Sequence, residues 1–294
     1  MRWALVLSGG GSRGFAHIGL IEELERRGVP APSLVAGTSM GAIIGALYAS
    51  GWDAQRMEQY VLGFKLTSLL ENPAFRLPDF ALSRLLQAGT ALGALSKGRS
   101  LDSGKQTDAE FRKLFGSDTL IENLKLPFAC VAADLASGRQ VIQDSGPLAR
   151  AVRASSAYPA VFAPVERDGM LLVDGGILNN VPVDLAYARG IRRVLAMDVS
   201  PLKVQAPERM ANGMSILMRC FDLASSAAEP KPLRGTLVLE HEDSRSVFNF
   251  DDPAKAIDVG RKTVALASDR LDAFFRPWPF NRVGRKESRR GSAQ

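Results

Sequence analysis

The sequence predicts an α/β fold in which a mostly parallel sheet is covered by helices on both faces. Short apolar runs alternate along the chain with segments that repeat apolar residues at helical spacing. Helices between successive strands act as the crossovers that a parallel sheet requires. The chain has 294 residues, of which 46% are hydrophobic, so it can bury a sizeable core in one domain.

The first four elements flank two glycine-containing loops. Residues 3–7 form an apolar strand, and apolar residues recur at helical spacing over residues 15–24. A second apolar strand is predicted at residues 33–36 and a second helix at residues 42–49. Further strands are predicted at residues 128–133, 140–142, 170–173, 193–198 and 236–239, and further helices at residues 147–154, 183–188 and 253–275.

Ser39 occupies the turn between the second strand and the second helix, at the centre of Gly37-Thr38-Ser39-Met40-Gly41. A G-x-S-x-G sequence at such a turn is typical of the nucleophile elbow, where small flanking residues let the chain bend tightly. Gly37 and Gly41 meet that requirement. The helix that begins here directs its free amides and the positive end of its dipole toward the serine. A plain helix N-cap is the alternative interpretation of the pentapeptide taken alone.

Residues 8–14 form another strand-to-helix loop, which contains Gly9-Gly10-Gly11-Ser12-Arg13-Gly14. Successive glycines leave backbone amides bare, and such a loop can cradle an anion. Beside a nucleophilic serine, the relevant anion is the oxygen of a tetrahedral intermediate. Arg13 either assists that oxyanion or a substrate phosphate, or is solvated or paired at the helix start, and both alternatives stay open.

The same loop also spells Gly9-x-Gly11-x-x-Gly14, the fingerprint of dinucleotide-binding folds. That fingerprint requires an acidic residue at the end of the second strand to bind the ribose. The second strand instead ends at Val35-Ala36-Gly37, and the acidic residues nearby belong to the preceding helix. A nicotinamide or flavin cofactor is therefore not expected.

The chain contains two histidines, which limits the candidates for a general base. His17 falls in the first helix, where a capping or packing role is expected. The order Ser39, Asp174, His241 matches the α/β-hydrolase triad, but in that fold several further elements precede the nucleophile, whereas here one βα unit does. His241 also lies in the highly charged run of residues 240–243, which predicts a solvated loop.

Asp174 is the preferred general base. The strand at residues 170–173 ends at this aspartate, and Gly175 and Gly176 carry no side chains that would keep its carboxylate away from Ser39. An ordinary aspartate in an Asp-Gly turn is the alternative interpretation of this motif taken alone.

Three motifs occur together in this chain: the glycine run of residues 9–14, the pentapeptide 37–41 and Asp174-Gly175-Gly176. In this order they resemble the patatin-like phospholipase family, specifically its small bacterial members. The similarity extends through residues 151–162 and 178–182, and it covers about residues 3–200 well. The resemblance implies a three-layer α/β/α fold with a mostly parallel central sheet and a helical cap insertion.

The family resemblance also implies a role for each site residue. Ser39 is the expected nucleophile and Asp174 the expected general base of a Ser-Asp dyad. The expected oxyanion hole comprises Gly9, Gly10, Gly11, Arg13 and Met40. The expected supports of the elbow and the dyad are Gly37, Gly41, Gly175 and Gly176.

These roles predict a lipid acyl hydrolase, of the phospholipase A or lysophospholipase type, that cleaves carboxylic esters through an acyl-enzyme. A serine carboxylesterase of broad specificity and a regulatory module that binds lipid without turnover are the alternatives. The expected substrate is a phospholipid or lysophospholipid. No cofactor is expected, because the histidines and cysteines have no metal-ligand spacing, and no motif indicates nucleic-acid binding.

Residues 64–104 interrupt the alternation of strands and helices. They show no clear strand, are rich in leucine and include Pro73 and Pro78. Within the single hydrolase domain expected over residues 1–280, this segment is predicted to be a cap. The cap is expected either to act as a lid that shapes an acyl groove and touches lipid, or to pack permanently on the core.

The net charge of +6 comes mostly from residues 281–294, which hold five basic residues and one acidic residue. This tail is expected to be disordered, and either attracted to anionic phospholipid headgroups or simply solvated. Two cysteines are too few for a disulfide framework, and the first residues do not match a signal peptide. We therefore expect a cytoplasmic enzyme with peripheral contact at the inner face of the membrane.

Overall fold

A computed structural model describes residues 1–64, 100–211, 213–241, 247 and 249–276 of the chain. The strands are β1 Ala4–Leu7, β2 Leu34–Thr38, β3 Ser100–Asp102, β4 Phe128–Asp134, β5 Arg139–Gln143, β6 Ala160–Phe162, β7 Val165–Arg167, β8 Met170–Asp174, β9 Val194–Asp198 and β10 Thr236–Glu240. The helices are α1 Ala16–Arg26, α2 Met40–Ala49, α3 Ala54–Leu62, α4 Lys105–Phe115, α5 Leu148–Ser155, α6 Asp184–Ala188, α7 Gly213–Ala228, α8 Pro253–Leu266 and α9 Ser268–Phe275.

The main sheet has the strand order β10-β9-β1-β2-β4-β8-β7, with β5 also paired to β4. Every neighbouring pair from β10 to β4 is parallel, whereas β5, β7 and β8 join through antiparallel pairs. The predicted α/β architecture with a mostly parallel central sheet is confirmed.

The core lies on both faces of this sheet, because strand side chains alternate between the two sides. Trp3, Leu5 and Leu7 belong to a cluster with buried residues of α1, α2 and α8, whereas Ala4 and Val6 pack on the other face, near α6. All residues of β1 and β2 are buried, as expected for strands covered on both sides. This burial holds the carboxyl ends of β1 and β2 in fixed positions beside each other.

Several elements differ from the sequence-based prediction. Residues 253–275 were expected to form one helix, but the helix breaks at Ala267 into α8 and α9. The strand β3 lies within the segment 64–104, where no strand was expected, and it pairs with β6 in a separate two-stranded parallel sheet. This pairing joins β3 to a strand distant in the sequence, so no local pattern indicates it.

Three helices were not predicted at all. The helix α3 has a clear local signal, because the Asp53 side chain accepts a hydrogen bond from the Arg56 amide at 2.7 Å and caps the helix. Its buried residues Ala54, Met57 and Val61 also follow helical spacing. The other two, α4 and α7, lie between β3 and β4 and between β9 and β10.

The predicted cap and tail fall largely outside the described residues. Of the segment 64–104, the structure describes residues 64 and 100–104, and residues 281–294 lie entirely outside the description. Their proposed lid and lipid-contact roles therefore stay predictions. Among the described residues, no helix combines the length and the apolar character that crossing a bilayer would require.

Candidate active site

Ser39 adopts a backbone conformation that is rare for any residue other than glycine, with φ of 52° and ψ of −122°. Its neighbours must be small, because a Cβ placed on Gly37 would lie within 3.0 Å of the Gly41 carbonyl group. A Cβ on Gly41 would collide with the Leu7 carbonyl oxygen in the same way. Ser39 occupies the N-cap position of α2, but its side chain makes no capping hydrogen bond to the helix.

Two hydrogen bonds from other segments hold this turn in place. The Ser39 amide donates to Ser155 Oγ at 3.1 Å, and the Thr38 hydroxyl donates to the Asn179 carbonyl oxygen at 2.9 Å. Neither Ser155 nor Asn179 was selected as a site residue, although both lie in the stretches that carry the family resemblance. The strained turn is therefore stabilised by residues more than one hundred positions away in the sequence.

The glycine loop after β1 lies directly against Ser39. A Cβ on Gly9 would approach Ser39 Cβ to 3.1 Å and Asn180 Oδ1 to 2.5 Å, so a side chain at Gly9 would displace both. The Gly9 amide donates to the Asn180 carbonyl oxygen at 3.3 Å. Within the described residues, the amides of Gly10 and Gly11 have no acceptor. The loop therefore carries two backbone donors without an acceptor, on glycines that line the same cavity as Ser39.

Met40 and Arg13 border the same space. Met40 is the first residue of α2, and its amide has no acceptor among the described residues, as is usual at a helix N-terminus. Its side chain packs against Gly14. Arg13 lines the cavity in front of Ser39. Burial raises the pKa of Asp222, and the positive charges of Arg219 and Arg13 partly oppose that rise.

The sheet register brings Asp174 to Ser39. Because β8 runs antiparallel to β4 and ends opposite its middle, Asp174 pairs with Ala132. The adjacent residue Val131 pairs with Thr38, immediately before Ser39. Gly175 then packs so closely on the Val131 carbonyl group that a Cβ there would lie within 3.0 Å of it. Two segments distant in the sequence thus meet at one point of the sheet.

Asp174 is buried, with 3% of its surface exposed. Its Oδ1 accepts a hydrogen bond from the Gly176 amide at 2.8 Å, whereas Oδ2 has no partner of standard geometry in the described part of the chain. Burial raises the pKa of Asp174 to about 6, and the nearby Ser39 hydroxyl and the Gly176 amide partly oppose that shift. The carboxylate is therefore a stronger base than an ordinary aspartate.

The two histidines lie in different parts of the structure. His17 is fully buried in α1, where Nε2 contacts the Ser8 carbonyl oxygen at 2.9 Å, and burial lowers its pKa to about 4. His241 was expected in a solvated loop, and that prediction was wrong because it is 1% exposed and lines the large cavity. Its backbone amide donates to the Asp198 carbonyl oxygen, which ties it to the end of β9.

Ser39 and Asp174 open onto a cavity of about 1050 Å³. One wall is largely apolar and includes Phe15, Ile43, Leu47, Val61, Phe111 and Val161. The other wall is formed by residues 200–206 and by α7, with Arg219, Asp222 and Ser225 among its polar members. This second wall was missed by sequence reasoning, although the apolar spacing within residues 213–228 is a helical signal.

The chain matches a family model described as patatin-like phospholipase over residues 5–187. An uncharacterised NTE family protein of Mycobacterium tuberculosis is 39% identical over 199 residues, which cover 68% of this chain and 49% of that protein. Patatin-like phospholipase domain-containing protein 6 of Homo sapiens is 36% identical over 198 residues, which cover 67% of this chain and 13% of that protein. The chain thus spans about half the length of the mycobacterial relative, and much less of the human one.

Among solved structures, VipD from Legionella pneumophila superposes with a TM-score of 0.52 and 16% identity. The superposition covers 92% of this chain and 66% of VipD. At this identity the likeness concerns the fold alone.

Proposed function

The chain belongs to the patatin-like phospholipase family, whose members are generally lipid acyl hydrolases, and we propose that it hydrolyses phospholipid or lysophospholipid esters through a Ser39–Asp174 dyad. The environment of the Asp174 carboxylate is the observation that supports the proposal most strongly. Its carboxylate is buried beside a strained serine, its pKa is raised to about 6, and its Oδ2 lacks a standard hydrogen bond within the described residues. A carboxylate in this state has an oxygen available to accept a proton.

In the first step, Asp174 Oδ2 accepts the hydroxyl proton of Ser39 while Oγ attacks the ester carbonyl carbon. The carbonyl oxygen then becomes an oxyanion. The amides of Gly10, Gly11 and Met40 are the donors we assign to it, because Gly9 already donates to Asn180. Gly9 contributes space instead, since a side chain there would collide with Ser39.

The same groups act in the remaining steps, in which the alcohol departs and water hydrolyses the acyl-enzyme. The leaving alcohol takes the proton from Asp174 as the tetrahedral intermediate collapses, which leaves the acyl group on Ser39 Oγ. Water then donates a proton to Asp174 and attacks the acyl carbon. Ser39 recovers that proton when the fatty acid departs. No step of this sequence requires an imidazole.

The cavity supports a lipid as the substrate. Its volume of about 1050 Å³ and its apolar wall suit an acyl chain, since burying each methylene contributes about 0.8 kcal/mol. Arg13, Lys203 and Arg219 line other parts of the same cavity and supply positive charge for an anionic group. An acyl chain and an anionic headgroup together are the features of a phospholipid.

The decisive experiment labels the protein with a fluorophosphonate and measures fatty-acid release from phospholipid, lysophospholipid and short soluble esters. We expect labelling at Ser39, preference for the two lipids, and loss of both signals in Ser39→Ala. Turnover of soluble esters alone would favour a broad carboxylesterase. Absence of labelling in a folded protein that binds lipid would favour a regulatory module.

A further inference from the structure

The helix α7 presents apolar side chains to solvent along one face. Ile216, Cys220, Leu223 and Ala227 are all exposed and follow one another at spacings of four, three and four residues. In a helix this spacing places them in one stripe. Ile216 is 49% exposed and Leu223 is 47% exposed. A surface helix of a globular protein ordinarily points such a stripe toward the core.

Polar side chains of α7 outside this stripe tie the helix to the active site and to the loop after β9. The Ser225 hydroxyl donates to the carbonyl oxygen of Gly176, two residues after Asp174. The Arg219 guanidinium donates to the Lys203 carbonyl oxygen at 2.6 Å. Arg219, Asp222 and Ser225 all line the cavity. These contacts fix the orientation of the helix, so its apolar stripe faces outward because the inner positions are occupied.

The loop that contacts Arg219 continues the apolar surface. Leu202 is 43% exposed and Val204 is 99% exposed, and Lys203 between them is also exposed. All three residues line the cavity as well, so they lie where it meets solvent. We call this loop tip together with the stripe of Ile216, Cys220, Leu223 and Ala227 the α7 rim.

We propose that the α7 rim docks on the surface of an anionic phospholipid bilayer and so places the cavity opening against its substrate. The proposal rests on the hydrolase function proposed above. Exposed apolar side chains beside basic ones are the composition that binds the boundary between headgroups and acyl chains. Residues 199–235 carry five basic and three acidic side chains, which favours an anionic surface.

Continuity with the cavity is the second argument for a bilayer. A lipid drawn from a bilayer must leave apolar surroundings and enter the cavity, and an apolar border shortens its exposure to water. The loop tip of the α7 rim supplies that border, and Arg219 lines the same cavity. The proposal does not depend on the lipid contact predicted for the cap and the tail.

Vesicle binding tests the proposal, with Ser39→Ala as the parent so that lipid is not consumed. The vesicles contain phosphatidylcholine and phosphatidylglycerol at roughly 3:1, and bound protein is measured by cosedimentation. We expect Ile216→Ser combined with Leu223→Ser to weaken binding about tenfold or more, since two half-exposed aliphatic side chains lose their apolar contact. Lys203→Gln is expected to weaken it about fivefold at low salt.

Leu266→Ser is the matched control. Leu266 is 90% exposed at the end of α8, outside the α7 rim, and its substitution is expected to leave vesicle binding unchanged. Unaltered binding by the Ile216 and Leu223 double variant would overturn the proposal, as would failure of the parent to bind vesicles. Light scattering could instead show a dimeric wild type and a monomeric double variant, with vesicle binding unchanged. That result would assign the stripe to contact with a second copy of the chain.

Hydrolysis separates this proposal from the proposed function. With Ser39 intact, the double variant is expected to cleave a short soluble ester at the wild-type rate and vesicle phospholipid about tenfold more slowly. If the wild type cleaves no ester but binds vesicles through the α7 rim, the hydrolase assignment fails and docking stands. If both esters are cleaved equally well by wild type and double variant, docking fails and the hydrolase assignment stands.

Discussion

Two aspartates end strands of the same sheet, and their pKa values are shifted in opposite directions. Asp134 ends β4, where its carboxylate accepts hydrogen bonds from the Ser137 hydroxyl at 2.6 Å and from the Leu171 amide at 2.9 Å, among others. These bonds lower the pKa of Asp134 to about 2. Asp174 ends the antiparallel neighbour β8, and burial raises its pKa to about 6.

The difference in pKa comes from the burial of Asp174 and from the larger number of donors to Asp134, since the residue type is the same. Both oxygens of Asp134 accept hydrogen bonds, so the charged form is stabilised and the residue holds a turn. Asp174 has the Gly176 amide on one oxygen, while the other accepts no standard hydrogen bond from the described residues. A carboxylate that is short of donors in a buried site retains affinity for a proton, which is what a general base needs.

The largest expected effect comes from removing either member of the dyad. Ser39→Ala and Asp174→Asn should each lower kcat/KM by about 10³-fold or more, because a nucleophile and its base act as a unit. Asp134→Asn should leave kcat/KM of the folded protein almost unchanged. His241→Ala is the further control, and a loss as severe as that of Ser39→Ala would overturn the assignment of Asp174 as the base.

The pH profile should follow Asp174. Because only its carboxylate form accepts the serine proton, kcat/KM should rise about tenfold per pH unit below pH 6 and level off above it. Asp134→Asn should show the same acid limb. A limb centred near pH 4, measured with a soluble ester, would contradict a raised pKa in the free enzyme.

Stability should also change with pH through Asp174. Its raised pKa means that the folded state binds the proton more tightly, so its stabilising contribution is complete below about pH 4 and is lost as the pH rises through 6. The free energy of unfolding of Asp174→Asn relative to wild type should therefore increase from pH 4.5 to pH 8, by on the order of 2 kcal/mol. Urea unfolding at the two pH values measures this gain, and a pH-independent difference would contradict it.

The smallest effect is expected at Asp134, with the opposite sign. Its lowered pKa stabilises the fold above about pH 4, and that contribution is lost as the pH falls through 2. Asp134→Asn should lower Tm by a few degrees at neutral pH and by less in acid. Asp168→Asn is the matched control, because its exposed pair with Arg167 spans 3.8 Å and should contribute little. Equal changes in Tm in the two variants would contradict a structural role for Asp134.

Local patterns were sufficient for the parts of the fold that depend on neighbouring residues. The apolar runs of β1, β2 and β9 predicted buried strands, and the confirmed architecture followed from their alternation with helices. The prediction failed where long-range packing decides. Nothing near residues 100–102 indicates a strand that pairs with β6, and the charged neighbours of His241 conceal its burial beside β9.

The candidate site also has parts that local sequence predicted and parts that it did not. The flanking glycines predicted the strained turn at Ser39, and the structure has that turn. The wall built by α7 and the loop after β9 was not foreseen. An outward-facing apolar stripe follows the same spacing as a buried one, so periodicity alone does not reveal which face meets solvent.

The sequence by itself determined the strands of the parallel part of the sheet, the two glycine loops and the identity of the residues expected to react, because each depends on backbone sterics and apolar spacing over a few residues. The tertiary structure decided how close Asp174 comes to Ser39, how many donors its carboxylate receives and which way α7 faces. Those properties arise from register and burial between segments far apart in the chain, where the environment, rather than the residue type, sets the pKa and the exposed surface.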